Sequence, residues 1–331
     1  MAYDQRAKRR KTDDDSYVDA SFPSEGGSGR KWTISIAIPS SVLADALTAE
    51  RRNSVAGRIA RALAVFSVDE IVIFDDSPTE SRPKSVDTKA YTGDIDPSHF
   101  LEHLLGYLEV PPFMRKMLFP LHPNLRLASQ LPSLEMPHHP NPAEWLPYRE
   151  GVAGKGTPRG TMIDIGLKDQ VLIEDEVPPN TRVTLYHPDQ RSQKAEACDP
   201  SAPREEGGFY WGYQVRRANS LTALFTECKY EGGYDVSIGT SERGRTLSEA
   251  FPSAEPLEFK HLLIAFGGPR GIEYAALNDK ELEGMDMGPS KAKELFDHWV
   301  NILPGQGSRN IRTDEALWVA LTSMRRLWYE V

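Results

Sequence analysis

The feature that most restricts the fold is a strand, a helix and a second strand packed into residues 32–74. "WTISIAIP" (32–39) is rich in β-branched residues and reads as a strand, and "EIVIF" (70–74) is apolar throughout. Between them Val55, Ile59, Ala62, Leu63 and Phe66 recur at helical spacing, which predicts a helix over 48–66. Two apolar strands joined by a helical crossover must lie parallel and be covered on both faces, which predicts an α/β fold. Helical stretches at 98–109 and 112–120 continue the pattern, and "LRLASQL" (125–131) closes it.

From 137 to 212 the pattern changes. Proline-rich "PHHPNPAEWLP" is followed by short strand-like segments at regular spacing: "REGVAG", "GTMIDIGL", "QVLIED", "RVTLY" and "GFYWGYQV". Turn residues separate them and no helical period runs through, which predicts a small β-barrel or meander with a polar loop at 189–208. The α/β pattern resumes with a helix at 220–228 and strands at 234–244 and 261–266. The expected organisation is an α/β domain over 31–136 and 213–331 with an all-β insert at 137–212. Residues 1–30 lack apolar periodicity and are expected to be a disordered tail. Its "KRRK" (8–11) is read either as a nuclear-import patch or as a solvated basic cluster.

Composition narrows the function classes. The longest apolar runs, "LLIAF" and "IVIF", are too short to span a bilayer, and the start carries no apolar signal core. Cys198 and Cys228 match no zinc or redox spacing and read as free thiols. His138 and His139 lack a second ligand pair, so no metal is expected; Asp75 and Asp76 read as a turn. No P-loop or dinucleotide fingerprint is present. The net charge of −9 argues against indiscriminate nucleic-acid binding, so local charge carries the argument.

That local charge sits on "IGTSERG", "AFGGPRG" and "LPGQGSRNIRT", which all carry glycines, the first two directly after strands. In parallel sheets ligands bind beyond the carboxyl ends of the strands, where glycine lets backbone approach the ligand. Arg243, Arg245, Arg270, Arg309 and Arg312 lie in or beside these turns. They offer forks for phosphate or carboxylate, or else pair with Glu242, Glu249, Glu273 or Asp314. Thr313 reads as the N-cap of a last helix with Asp314 and Glu315 in its first turn.

"TISIAIPSSVL", "RIARALAVFSVDEIVIFDD", "YWGYQVRRANSL", "YDVSIGTSERG" and "PGQGSRNIRTDEA" together resemble the SPOUT-class RNA methyltransferases, in the eukaryotic and archaeal branch, over residues 32–325. The resemblance implies an α/β domain with a C-terminal trefoil knot, an inserted OB-like barrel, and homodimers meeting at the knot. It implies S-adenosylmethionine as cofactor, S-adenosylhomocysteine as product and no metal. By motif position Thr240, Arg243, Gly267, Gly268, Asn301, Ile302, Leu303, Pro304, Gln306, Gly307 and Thr313 would hold the cofactor, with Arg243 also the site arginine that orients its carboxylate or stabilises a deprotonated base. Gly305 and Gly307 would remove side-chain bulk where the knot crosses. Arg245, Arg270, Arg309 and Arg312, with Tyr148 and Trp211 on the barrel, are expected to contact RNA; the alternative for the aromatics is barrel core. Large-subunit ribosomal RNA is the implied substrate class, with a further protein partner to offset the acidic charge, and a nuclear or nucleolar site of action. The resemblance leaves a second function open, a non-catalytic scaffold in ribosome maturation or in mitosis at kinetochores.

Overall fold

The computed structural model describes residues 29–140 and 144–329. The tail and its "KRRK" therefore lie outside the described residues, except Gly29 and Arg30. Arg30 is anchored, its guanidinium forked onto Asp69 at 2.6 and 2.7 Å.

Two sheets form the molecule. In chain order the strands are β1 (Thr33–Pro39), β2 (Glu70–Phe74), β3 (Tyr148–Thr157), β4 (Gly160–Asp164), β5 (Val171–Ile173), β6 (Arg182–Tyr186), β7 (Glu196–Ala197), β8 (Gln214–Ala218), β9 (Val236–Thr246), β10 (His261–Ala265) and β11 (His298–Asn301). Six make a sheet in the order β11-β9-β10-β1-β2-β8, and every neighbouring pair in it is parallel. β1 and β2 are buried at every position, as two covered faces demand. On one face Ile34, Ile36, Ile38, Ile71 and Ile73 pack with Val55, Ile59 and Leu63 of the helix Ala49–Val65 and with Leu317 and Leu321 of the C-terminal helix Thr313–Met324. On the other face Ala37, Val72, Phe74 and Leu263 pack against Leu221, Leu224 and Ile272. The helix Ala49–Val65 starts where Thr48 accepts the Arg51 amide at 3.3 Å, and the helix Pro97–Glu109 where Asp96 accepts the His99 amide at 2.9 Å.

The remaining strands form an antiparallel sheet ordered β5-β4-β3-β6-β7. It comes close to closing on itself, because Leu172 of β5 exchanges backbone bonds with Gln193 and Ala195 just ahead of β7. The expected barrel insert is present in this form, with three differences. "GFYWGYQV" is not a barrel strand: only Gln214 onward is extended, and it joins the parallel sheet beside β2. The polar 189–208 segment holds β7 and a helical turn at Ala202–Glu205. "LRLASQL" overlaps two 3-10 turns, Pro123–Leu125 and Ala128–Gln130, and adds no strand to the α/β pattern.

A buried polar network ties the barrel-like sheet to the helix Pro97–Glu109 of the α/β domain. Arg182 of β6 forks onto Glu109 at 2.6 and 3.1 Å, while its Nε donates to Glu150 at 2.6 Å. His138 Nε2 lies 2.9 Å from Glu109 Oε1. Burial alone would raise the Glu109 carboxyl, but Arg182 and His138 outweigh it and hold the group down at about 2. Burial does the opposite to nearby histidines, lowering His139 to about 3 and, with repulsion from His122 and His99, His103 to about 4. The signs agree. A histidine depressed in the fold is protonated first in the unfolded chain, so stability is lost as pH falls below about 6.5. Glu109 adds a further loss below the ordinary glutamate value of 4.5. Denaturant midpoints measured from pH 7 to 4 should therefore fall continuously; a midpoint that rises on acidification contradicts this assignment.

Candidate functional site

Residues 240–244, which bulge out of β9 opposite Trp299 and Val300, converge with the turns after β10 and β11; "IGTSERG" thus lies within a strand rather than in a turn after one. The three segments enclose a cavity of about 300 Å3 at the carboxyl end of the parallel sheet, the lower end of the range for small-molecule pockets. The packing explains why these segments carry glycine. A Cβ on Gly239 would lie 2.4 Å from the Trp299 ring, one on Gly244 2.4 Å from the Val300 backbone, and one on Gly267 2.7 Å from Gly271 and Ile272 backbone. A Cβ on Gly268 would meet Ser41 Oγ at 2.1 Å. Ser41 in turn donates to the buried Asp76 at 2.5 Å, whose carboxyl is raised by burial against the Ser41 bonds. Asp75 and Asp76 follow β2 directly, the Asp75 amide donating to the Ala218 carbonyl at 3.0 Å, and Asp76 backs the β10 loop through Ser41.

Three side-chain bonds lace the turns together. Thr240 donates to the Ala265 carbonyl at 3.0 Å, Asn301 to the Glu242 carbonyl at 2.9 Å, and Thr313 to the Gly267 carbonyl at 2.9 Å. Each holds a loop in the shape that leaves the cavity open. Replacing Thr313 with valine removes one such bond at nearly constant volume. The expected cost is about 1 kcal/mol, roughly a fivefold loss of cofactor affinity by calorimetry.

Of the residues expected to hold the cofactor, Thr240, Arg243, Gly267, Gly268, Asn301, Ile302, Gln306 and Thr313 line this cavity. Leu303, Pro304 and Gly307 do not. Gly305 and Gly307 are not crowded: a Cβ at either meets nothing within 4 Å, and Gly305 is favoured by its φ of +74°. The close crossings belong to Gly239, Gly244, Gly267 and Gly268 instead. Thr313 is the first residue of the last helix rather than its cap. Arg312 holds the cap position, its amide donating to Glu315 at 3.2 Å. Phe266, Pro269, Glu273, Asn310 and Ile311 also line the cavity; all but Glu273 sit inside the quoted motifs, but only packing shows which side chains turn inward.

Electrostatics at the mouth are mixed. Arg243 is 78% exposed, with its nearest carboxylate, Glu273, 3.9 Å away. Arg270 lies over the Tyr274 ring at 4.6 Å and lines the cavity. Arg245, Arg309 and Arg312 are exposed but outside it. Expected pairing with Asp314 and Glu249 does not form: Asp314 takes Arg58 at 2.5 Å and Glu249 closes a capping box with Thr246.

The barrel aromatics need correction. Tyr148 and Trp211 are buried, not displayed for stacking. The Trp211 indole donates to Glu150 at 2.6 Å, while the Tyr210 and Tyr213 hydroxyls bond the Val68 and Leu105 carbonyls at 2.9 and 3.1 Å. All four rings belong to the packing where the barrel meets the α/β domain, since amphipathic rings bury best with their polar atom partnered.

S-adenosylmethionine fits this cavity on the chemistry of its lining. Glycine-cleared backbone suits a flat purine edge, Glu242 and Glu273 offset a sulfonium cation, and the Arg243 and Arg270 forks suit a carboxylate. Among the described residues no cluster of histidine, cysteine and carboxylate side chains has metal-holding geometry. Cys198 and Cys228 are free thiols.

Known proteins resemble this chain over most of its length. Residues 33–324 match the family model described as "Putative RNA methyltransferase". A Drosophila melanogaster protein named 28S rRNA (uridine-N(3))-methyltransferase is 41% identical over 306 residues, covering 88% of this chain and 62% of the fly protein. A Homo sapiens protein of the same name is 38% identical over 305 residues, covering 90% of this chain and 79% of the human one. The match spans the parallel sheet, the inserted barrel and all three glycine-bearing segments. The chain belongs to this RNA methyltransferase family.

Proposed function

We propose that the chain transfers a methyl group from S-adenosylmethionine to N3 of a uridine in large-subunit ribosomal RNA. The observation that carries the proposal is the meeting of three sequence-distant segments around one cavity at the carboxyl ends of parallel strands. Family membership and the names of the fly and human relatives supply the substrate.

When bound, the cofactor supplies a methyl group on a sulfonium centre. The protein's task is then to place N3 in line and to ease loss of its proton. Thr240, Asn301 and Thr313 fix the turns, so the cofactor is held in one pose. Arg243, exposed at the rim, donates to a uracil carbonyl oxygen and stabilises the negative charge that spreads there as the N3 proton leaves to bulk water. The proposal includes a trefoil knot formed by the turn after β11 and the C-terminal helix. It includes a homodimer at that face, RNA contacts through Arg245, Arg270, Arg309 and Arg312, a protein partner on the ribosomal precursor and action in the nucleus.

The test is methyl transfer from labelled cofactor to large-subunit RNA lacking the modification, followed by digestion to nucleosides. Label in 3-methyluridine with wild type, and at least about a hundredfold less with Arg243→Ala, is expected. Saturated cofactor binding with no label in RNA would replace this reading with the scaffold.

A further inference from the structure

A second recess, of about 350 Å3, adjoins the cofactor cavity; Pro269, Asn310, Ile311 and Thr313 line both. Its far wall comes from the turn after β1 and the first turns of the helix Ala49–Val65, neither of which reaches the cofactor cavity. Val42, Ala46 and Val55 give it an apolar floor.

Its rim is charged in an unusual way for a chain of net charge −9. Arg58 is already committed, donating to the buried Asp314 at 2.5 Å and to Ser54 at 3.2 Å. Arg51 and Arg312 are exposed, and neither side chain meets a carboxylate among the described residues. Asp45 also lines the recess, with no cation on it among the described residues. Two free guanidinium groups and one free carboxylate thus surround an apolar floor, one wall away from the cofactor.

We infer that this recess seats the ribonucleotide next to the methylated uridine. Arg51 and Arg312 fork onto its phosphate, as planar guanidinium groups do. Asp45 accepts from its 2′-hydroxyl, the donor that RNA has and DNA lacks. The apolar floor takes the face of its ribose or base. Sharing Pro269 and Thr313 with the cofactor cavity fixes the distance between this anchor and the methyl group, so the recess acts by positioning the strand. The inference rests on the RNA methyltransferase reading above.

Its test pairs methyl-transfer kinetics on large-subunit RNA with cofactor calorimetry on the full chain, for wild type, Arg51→Ala, Arg312→Ala and Asp45→Asn. Each arginine variant should raise KM for RNA about tenfold and lower the salt dependence of binding to a short oligouridylate by about one counterion. Its kcat at saturating RNA and its cofactor affinity should stay at wild-type values. Asp45→Asn should narrow the preference for RNA over DNA of the same sequence. If wild type methylates RNA while Arg51→Ala keeps its KM and salt slope, the recess is not the anchor. Parallel loss of cofactor affinity would equally overturn it, making the recess part of the cofactor site. A wild type that transfers no methyl to RNA would overturn the parent reading, and this one with it.

Discussion

Gly267→Val is expected to cost at least about tenfold in S-adenosylmethionine affinity while leaving the protein folded. The Cβ alone would sit 2.7 Å from the backbone of Gly271 and Ile272, so no rotamer relieves the clash and backbone must move. Overpacking of this kind costs about 1–3 kcal/mol. Here it falls on the loop whose carbonyl Thr313 holds at 2.9 Å, so it distorts the cavity wall. Gly307→Val is the control, because a Cβ there meets nothing within 4 Å; its cofactor affinity should stay within about twofold of wild type. Calorimetry on both variants, with circular dichroism to confirm folding, measures the contrast. Equal losses at both positions would contradict the packing argument.

The second large effect concerns the joint between the sheets. Arg182→Met leaves Glu109 and Glu150 without their cation. Their side chains are 7% and 1% exposed, so neither can recover water in place of the lost partner. Removing one member of a buried ion network costs about 3–5 kcal/mol, which denaturant unfolding at pH 7 would show as a large drop in midpoint. Adding Glu109→Gln and Glu150→Gln should restore a good part of it, since the penalty attaches to the uncompensated charges rather than to lost packing. A triple variant as unstable as Arg182→Met would show that shape, not charge, holds the joint.

Much of this architecture was legible in the sequence because it follows from periodicity. β1, β2 and the helix between them are marked by apolar runs and a helical period, and the barrel by short strands between turn residues. The meeting of the three glycine-bearing segments was legible too, since glycine and arginine recur at strands that a parallel sheet aligns, although "IGTSERG" forms a bulge within β9 instead of a turn after it. What composition could not show is which glycine is crowded. Gly305 and Gly267 look alike in sequence, but one needs only a positive φ while the other faces backbone at 2.7 Å. Trp211 and Tyr148 differ from expectation for a related reason: aromatic residues at the edge of a barrel suit both base stacking and burial, and only their packing, with Glu150 accepting from the Trp211 indole, decides between them. β11, four residues long, is too short to carry a periodic signal, though it forms the sheet edge beside the cavity. Arg51 lies more than two hundred residues from the motifs it joins in space, a distance that a single sequence carries no signal to bridge.

Calorimetric titration of S-adenosylmethionine into the purified chain addresses the central claim most directly. Saturable binding at one site per chain, weakened at least about tenfold by Gly267→Val and unaffected by Gly307→Val, is the predicted result. Absence of binding, or binding indifferent to Gly267→Val, would mean that the β9 bulge and the turns after β10 and β11 do not hold the methyl donor.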